Sequence, residues 1–145
     1  MTVYLTPPPH FNPKMEVSAC YVEYKDRILL LLRQDHKPQG NTWCLPGGKL
    51  DPGDTPLDAI IREMREETAI ELERNNLAFF KSLYVKYPEM DFIYYLFHSR
   101  LRDKPEVKIS LGEHKDHCWV TPLDSLKLTL IPKEDYCIKL FYKIE

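Results

Sequence analysis

One segment constrains the architecture of this 145-residue chain more than any other: residues 55–68, TPLDAIIREMREET. Thr55 offers a side-chain oxygen suited to capping a helix, and Pro56 a fixed φ suited to its first position. Leu57, Ile60, Ile61 and Met64 then recur at the spacing of one apolar face. Glu63, Glu66 and Glu67, at i, i+3 and i+4, share an arc of roughly 100° on the same helix. The apolar face is centred roughly 120° from them. Such a helix buries one side against a core and keeps its carboxylates clear of that side. Three like charges so close repel, which Arg62 and Arg65 partly compensate. Taken alone, the arc also fits a solvated charged face.

Around this helix the pattern is mainly of strands. Val17 to Tyr24 and Arg27 to Arg33 read as a hairpin turned at Lys25-Asp26, and the unbroken Ile28–Leu32 run as a strand buried on both faces. Residues 77–87 and 92–101, aromatic and β-branched, read as a second hairpin joined through Pro88-Glu89-Met90-Asp91. A short strand near Val107, another from Cys118 to Thr121, and an amphipathic helix from Lys133 to Tyr142 follow. Residues 1–14, with the proline-rich TPPPHFNP run, are expected as an extended arm before a single domain spanning 15–145. The class is mixed α/β.

Composition narrows the functional classes. A formal charge of −2 gives no global attraction for duplex nucleic acid or an anionic membrane, so phosphate would have to be held by local charge and metal. No apolar run approaches the ~20 residues needed to cross a bilayer. Residues 1–14 lack the pattern of a secretory signal. Cys20, Cys44, Cys118 and Cys137 form no CxxC pair and read as reduced thiols of a cytoplasmic protein. The composition is compatible with a monomer or a homodimer.

The Gly47-Gly48 pair precedes the helix, where backbone can approach a metal or phosphate closely. Carboxylates with a backbone carbonyl form an oxygen set suited to Mg²⁺ or Mn²⁺, with substrate phosphate completing the shell. The run from Gly48 through Asp54 to Arg62-Glu63-Met64-Arg65-Glu66-Glu67-Thr68-Ala69-Ile70 closely resembles the signature of the Nudix hydrolases. That signature is a glycine, five residues, a glutamate, seven residues, then Arg-Glu-apolar-any-Glu-Glu-any-Gly-apolar. The match covers 23 residues at fixed spacing with two departures. Asp54 replaces a supporting glutamate, and the shorter carboxylate is expected to lower activity. Ala69 replaces the closing glycine, and left-handed alanine there costs roughly 1 kcal/mol.

The resemblance implies an α/β/α sandwich with a mixed sheet between helices. It also implies an Mg²⁺- or Mn²⁺-dependent enzyme of MutT-like type. By it, Glu63, Glu66, Glu67 and the Gly47 carbonyl ligate metal, Arg62 orients Glu63, and Gly48 and Asp54 support the box. Glu63 or Glu113 takes the proton, Glu113 lying six residues before Trp119 in the polar GEHKDH segment. Arg33 and Lys49 are candidate phosphate contacts, and Glu134 stands where MutT-like enzymes place a base-reading residue. Each also has a plain reading as a surface or helix-end charge. His114, His117 and Cys118 make a weak transition-metal candidate without a second cluster. Among Tyr84, Tyr87, Phe92, Tyr94 and Tyr95, one or two are expected to line a base pocket and the rest to fill the core. The expected reaction cleaves a nucleoside triphosphate, including an oxidised or non-standard one, to monophosphate and pyrophosphate. The alternatives are a dinucleoside polyphosphate or nucleoside diphosphate sugar hydrolase, and a nucleotide-sensing module that does not cut. Retention of all three box glutamates argues against the last.

Overall fold

The computed structural model describes residues 1–145. Lys25 and Asp26 both take positive φ, 47° and 63°, the turn geometry that matches the twist of two flanking strands. They join β2 (Pro13–Tyr24) to β3 (Arg27–Arg33), as the sequence predicts. Only the end of β2 pairs with β3. Further back, Val17–Ala19 of β2 pairs with the short β5 (Gly47–Lys49), and the whole of β2 runs parallel to β7 (Asp91–Arg100). With β1 (Thr2–Tyr4), β4 (Trp43–Cys44), β6 (Ala78–Lys86) and β8 (His114–Val120) these form one mixed eight-stranded sheet of order β1-β6-β7-β2-β3-β4. From that path, β5 branches off β2 and β8 off β3.

Strand alternation divides the core in two. Cys20 and Val22 of β2, Leu29 and Leu31 of β3 and Phe97 of β7 face Ile60 and Met64 of α1 (Pro56–Thr68). Their sequence neighbours Ala19, Tyr21, Ile28, Leu30 and Leu96 face Cys137 and Ile138 of α3 (Glu134–Tyr142). A short α2 (Pro122–Ser125) leads towards α3. Burial of Ile28 through Leu31 on both faces explains why that run contains no polar residue.

Helix α1 has the termini its sequence specifies. The Thr55 hydroxyl accepts the Asp58 backbone N–H at 3.1 Å, and Ser18 Oγ donates to the Pro56 carbonyl at 2.9 Å, tying the helix start to β2. The helix ends at Ala69 in the left-handed region, φ 63° and ψ 16°. Left-handed alanine costs roughly 1–2 kcal/mol. Ala69→Gly should therefore stabilise the protein by about 0.5–1 kcal/mol, after subtracting the greater freedom of glycine in the unfolded chain. For a domain of this size that is a Tm increase of about 2–4 °C, measurable by calorimetry. An unchanged or lower Tm would show that the alanine is unstrained.

At the end of the sheet remote from α1's glutamates, Glu23 is buried yet fully paired. It accepts from Arg100 Nε at 3.0 Å and Tyr142 Oη at 2.9 Å, and lies 3.1 Å from His98 Nε2. Burial alone would raise its pKa, but these hydrogen bonds and the Arg100 charge outweigh it and hold the carboxyl below the usual range.

Two expectations change. No strand forms near Val107: residues 101–113 cross the open end of α1, where Lys108 N–H donates to the Thr68 carbonyl at 2.9 Å and Val107 and Ile109 pack on the α1-side core. The last strand begins at His114 and ends at Val120, so most of the polar GEHKDH segment is strand, its outward side chains exposed. The amino-terminal arm also carries pairing of its own, since β1 adds to the edge of β6 and Phe11 stands edge-on to Tyr84 at 5.5 Å.

Candidate active site

The turn entering α1 brings three side chains into one chain of contacts. Asp54 N–H donates back to the Asp51 carbonyl at 3.0 Å, and this tight turn aims the Asp54 carboxylate at α1. Its Oδ2 accepts from Arg62 Nη2 at 2.8 Å. Arg62 Nη1 in turn donates to Glu63 Oε1 at 3.0 Å, while Nη2 also reaches the Lys49 carbonyl at 3.2 Å. Although aspartate is the shorter carboxylate, the turn brings the backbone close enough for direct contact. Arg62 is braced on one side and orients Glu63 on the other.

The glycine pair is required by close approach. A Cβ on Gly47 would stand 2.1 Å from the Ser18 carbonyl oxygen and 2.7 Å from Ala19 Cα, both on β2. A Cβ on Gly48 would stand 2.3 Å from the Glu63 carboxyl. The first glycine lets β5 lie against β2, and the second leaves room for the Glu63 side chain. Burial raises the Glu63 pKa; Arg62 opposes this and the charges of Glu66 and Glu67 reinforce it. This mutual repulsion within an all-oxygen group is what a hard divalent cation would relieve, so the donor set fits one. The carboxylates are not already drawn together as a closed cage: Glu63 leans on Arg62, and Glu67 on His114 at 2.9 Å.

These residues form one wall of a cavity of about 800 Å³, a size typical of small-molecule sites. Gly47, Gly48, Glu63, Glu66 and Glu67 line that wall, with Arg33, Lys49 and Glu113 at its margins. Arg33, at the end of β3, is held by its Nε donating to the Pro38 carbonyl at 2.8 Å. Glu113, in the turn just before β8, pairs with Lys37 at 2.8 Å, and its backbone is held by Glu113 N–H to the Ser110 carbonyl and Gln34 N–H to the Glu113 carbonyl, both at 3.0 Å. Lys37 and Lys133 also line the cavity. Neither stands out in the sequence, where they are ordinary lysines beside prolines.

Another part of the lining is aromatic. Tyr87 and Phe92 stack with centroids 5.4 Å apart, and Tyr94 lies beside Phe92 at 6.2 Å. Of the five aromatic candidates these three line the cavity. Tyr84 packs on Phe11, and the Tyr95 hydroxyl donates to Glu16 at 2.5 Å. Glu134 joins this part of the lining and is only 3% exposed. Burial pushes its pKa up to about 8, with the Tyr94 hydroxyl, 3.3 Å from Oε1, only partly offsetting this. This environment favours the protonated form, which both donates and accepts.

The transition-metal candidate does not assemble. β8 carries one extra residue between the pairs Leu32↔Asp116 and Arg33↔His114. This bulge turns His114 to the α1 side, whereas Cys118 packs with the α3-side core. All four cysteines are unpaired, and no helix is long and apolar enough to cross a membrane.

Comparison with known proteins agrees with this geometry. The NUDIX domain family matches residues 13–141. The CTP pyrophosphohydrolase of Escherichia coli is 27% identical over 129 residues, covering 88% of this chain and 90% of that one. An uncharacterised Nudix hydrolase of Bacillus subtilis, YvcI, is 43% identical over 54 residues, which are 37% of this chain and only 32% of the relative. Among solved structures, the E. coli ORF135 protein superposes with a TM-score of 0.76 at 24% identity, covering 96% and 95% of the two chains. The chain belongs to the Nudix hydrolase family, with the mixed sheet between helices that defines its fold. Nudix hydrolases generally use divalent metals.

Proposed function

We propose that the protein is a Mg²⁺- or Mn²⁺-dependent pyrophosphohydrolase that cleaves a nucleoside triphosphate, standard or oxidised, to monophosphate and pyrophosphate. The observation that carries this reading is a single cavity joining an acidic, glycine-lined wall to an aromatic lining with a buried carboxyl. The first suits a metal-bound polyphosphate and the second a base. The E. coli CTP pyrophosphohydrolase, similar over most of both chains, supports the triphosphate class.

Glu66, Glu67 and Glu63, with the Gly47 carbonyl, would hold the cation, which when bound neutralises diphosphate charge and makes water a better nucleophile at neutral pH. Arg62, braced by Asp54, fixes the Glu63 carboxyl where it can take the proton from attacking water. Glu113 is the second candidate for that proton, provided its ion pair with Lys37 opens. Arg33 and Lys49, joined by Lys37 and Lys133, offer positive charge to the phosphates. Tyr87, Phe92 and Tyr94 offer faces for stacking, and Glu134 a donor–acceptor pair for a base edge.

A panel of nucleoside triphosphates, dinucleoside polyphosphates and nucleoside diphosphate sugars, assayed with Mg²⁺ or Mn²⁺, tests the substrate class. Pyrophosphate and mononucleotide in equal amounts from a triphosphate are expected. Cleavage confined to the dinucleotides or sugars would replace this reading with a different hydrolase specificity. Binding of nucleotides without cleavage of any would replace it with a sensor.

A further inference from the structure

Glu67 is held by a residue to which the proposed reaction gives no role. His114 is 5% exposed, and its Nδ1 lies 2.9 Å from Glu67 Oε2. A carboxylate only accepts, so Nδ1 is the donor of this pair. The far side of the ring is packed too, with Nε2 3.9 Å from Cys44 Sγ. The backbone is fixed on both sides: His114 N–H donates to the Ser110 carbonyl at 2.9 Å, and the Gln34 amide donates to the His114 carbonyl at 3.3 Å. The β8 bulge is what turns this side chain to the α1 side. The Glu66 side chain, by contrast, is 55% exposed and has only a distant ion pair with Arg62 at 3.9 Å.

We propose that His114 is a positioning residue: it fixes the Glu67 carboxylate by one oxygen and leaves the other to meet a divalent cation. The proposal rests on the metal reading above. A free glutamate loses rotamer freedom when it ligates, and a carboxylate already held by a buried donor has lost much of it in advance. Partners of this kind typically contribute about 10–100-fold in metal affinity.

The test is Mn²⁺ affinity of the folded protein without substrate, measured by electron paramagnetic resonance, with Tm recorded for each variant. H114L should weaken Mn²⁺ binding by about tenfold or more. H114N should stay close to the unsubstituted protein, because its amide N–H stands where Nδ1 stood. E67Q should also weaken binding, and adding H114L to E67Q should weaken it no further, since His114 acts through Glu67. Should H114L melt below the assay temperature, H114Q replaces it, its amide reaching towards Cys44 instead of Glu67. If E67Q weakens Mn²⁺ but H114L does not, or if H114N is as weak as H114L, the positioning role is wrong. If E67Q leaves Mn²⁺ affinity unchanged, the metal reading itself fails and this proposal with it.

Discussion

Glu67→Gln is expected to lower kcat by about 10²-fold or more while the Tm stays nearly unchanged. The substitution keeps size, helix propensity and an oxygen that still accepts from His114 Nδ1, so the buried contact at 2.9 Å survives. What it removes is the charge that would face the proposed cation. A structural role alone would give the opposite pattern, a lower Tm with turnover intact. Near-normal turnover would return the three glutamates to an ordinary charged helix face. Steady-state kinetics with saturating Mg²⁺, together with thermal melting, separate the two.

Gly47→Ala is expected to be the most destabilising single substitution at the site. Its Cβ would meet β2 backbone at two atoms of the Ser18–Ala19 peptide, at 2.1 Å and 2.7 Å, and neither atom can rotate away. β5 would have to leave the Val17–Ala19 stretch it pairs with. Overpacking a rigid contact costs about 1–3 kcal/mol and sometimes more; with the pairing disturbed, a loss of about 3 kcal/mol is expected. That is measurable as a lower denaturant midpoint. Gly48→Ala meets the end of a side chain instead, 2.3 Å from the Glu63 carboxyl. It should lose less stability and more activity, because Glu63 must swing out of its contact with Arg62. Equal stability losses in the two variants would contradict this division of roles.

The two-faced helix was legible because a single periodicity writes both its core side and its acidic arc. The Lys25-Asp26 hairpin and the doubly buried Ile28–Leu31 run were legible for similar local reasons. Ala69 in a left-handed cap followed from its place in the signature. What could not be read depends on contacts between distant segments. His114 reaches Glu67 only because one extra residue in β8 reverses the alternation, and a bulge leaves no mark in hydrophobic period. The near-complete burial of Glu134 depends on α3 packing over β7, which sets Tyr94 against it across 40 positions. Asp54 reaches Arg62 through the depth of a turn, which residue length alone does not give. Val107 and Ile109 alternate like a strand, but they cross α1 where no strand edge receives them.

The central claim is that Glu63, Glu66 and Glu67 act by holding a divalent cation against a nucleoside polyphosphate. The most direct measurement is release of pyrophosphate from a nucleoside triphosphate by protein treated with EDTA, before and after Mg²⁺ or Mn²⁺ is restored. The account predicts no release without metal and full recovery on its return, with the protein folded throughout. Full turnover in metal-free buffer would contradict it.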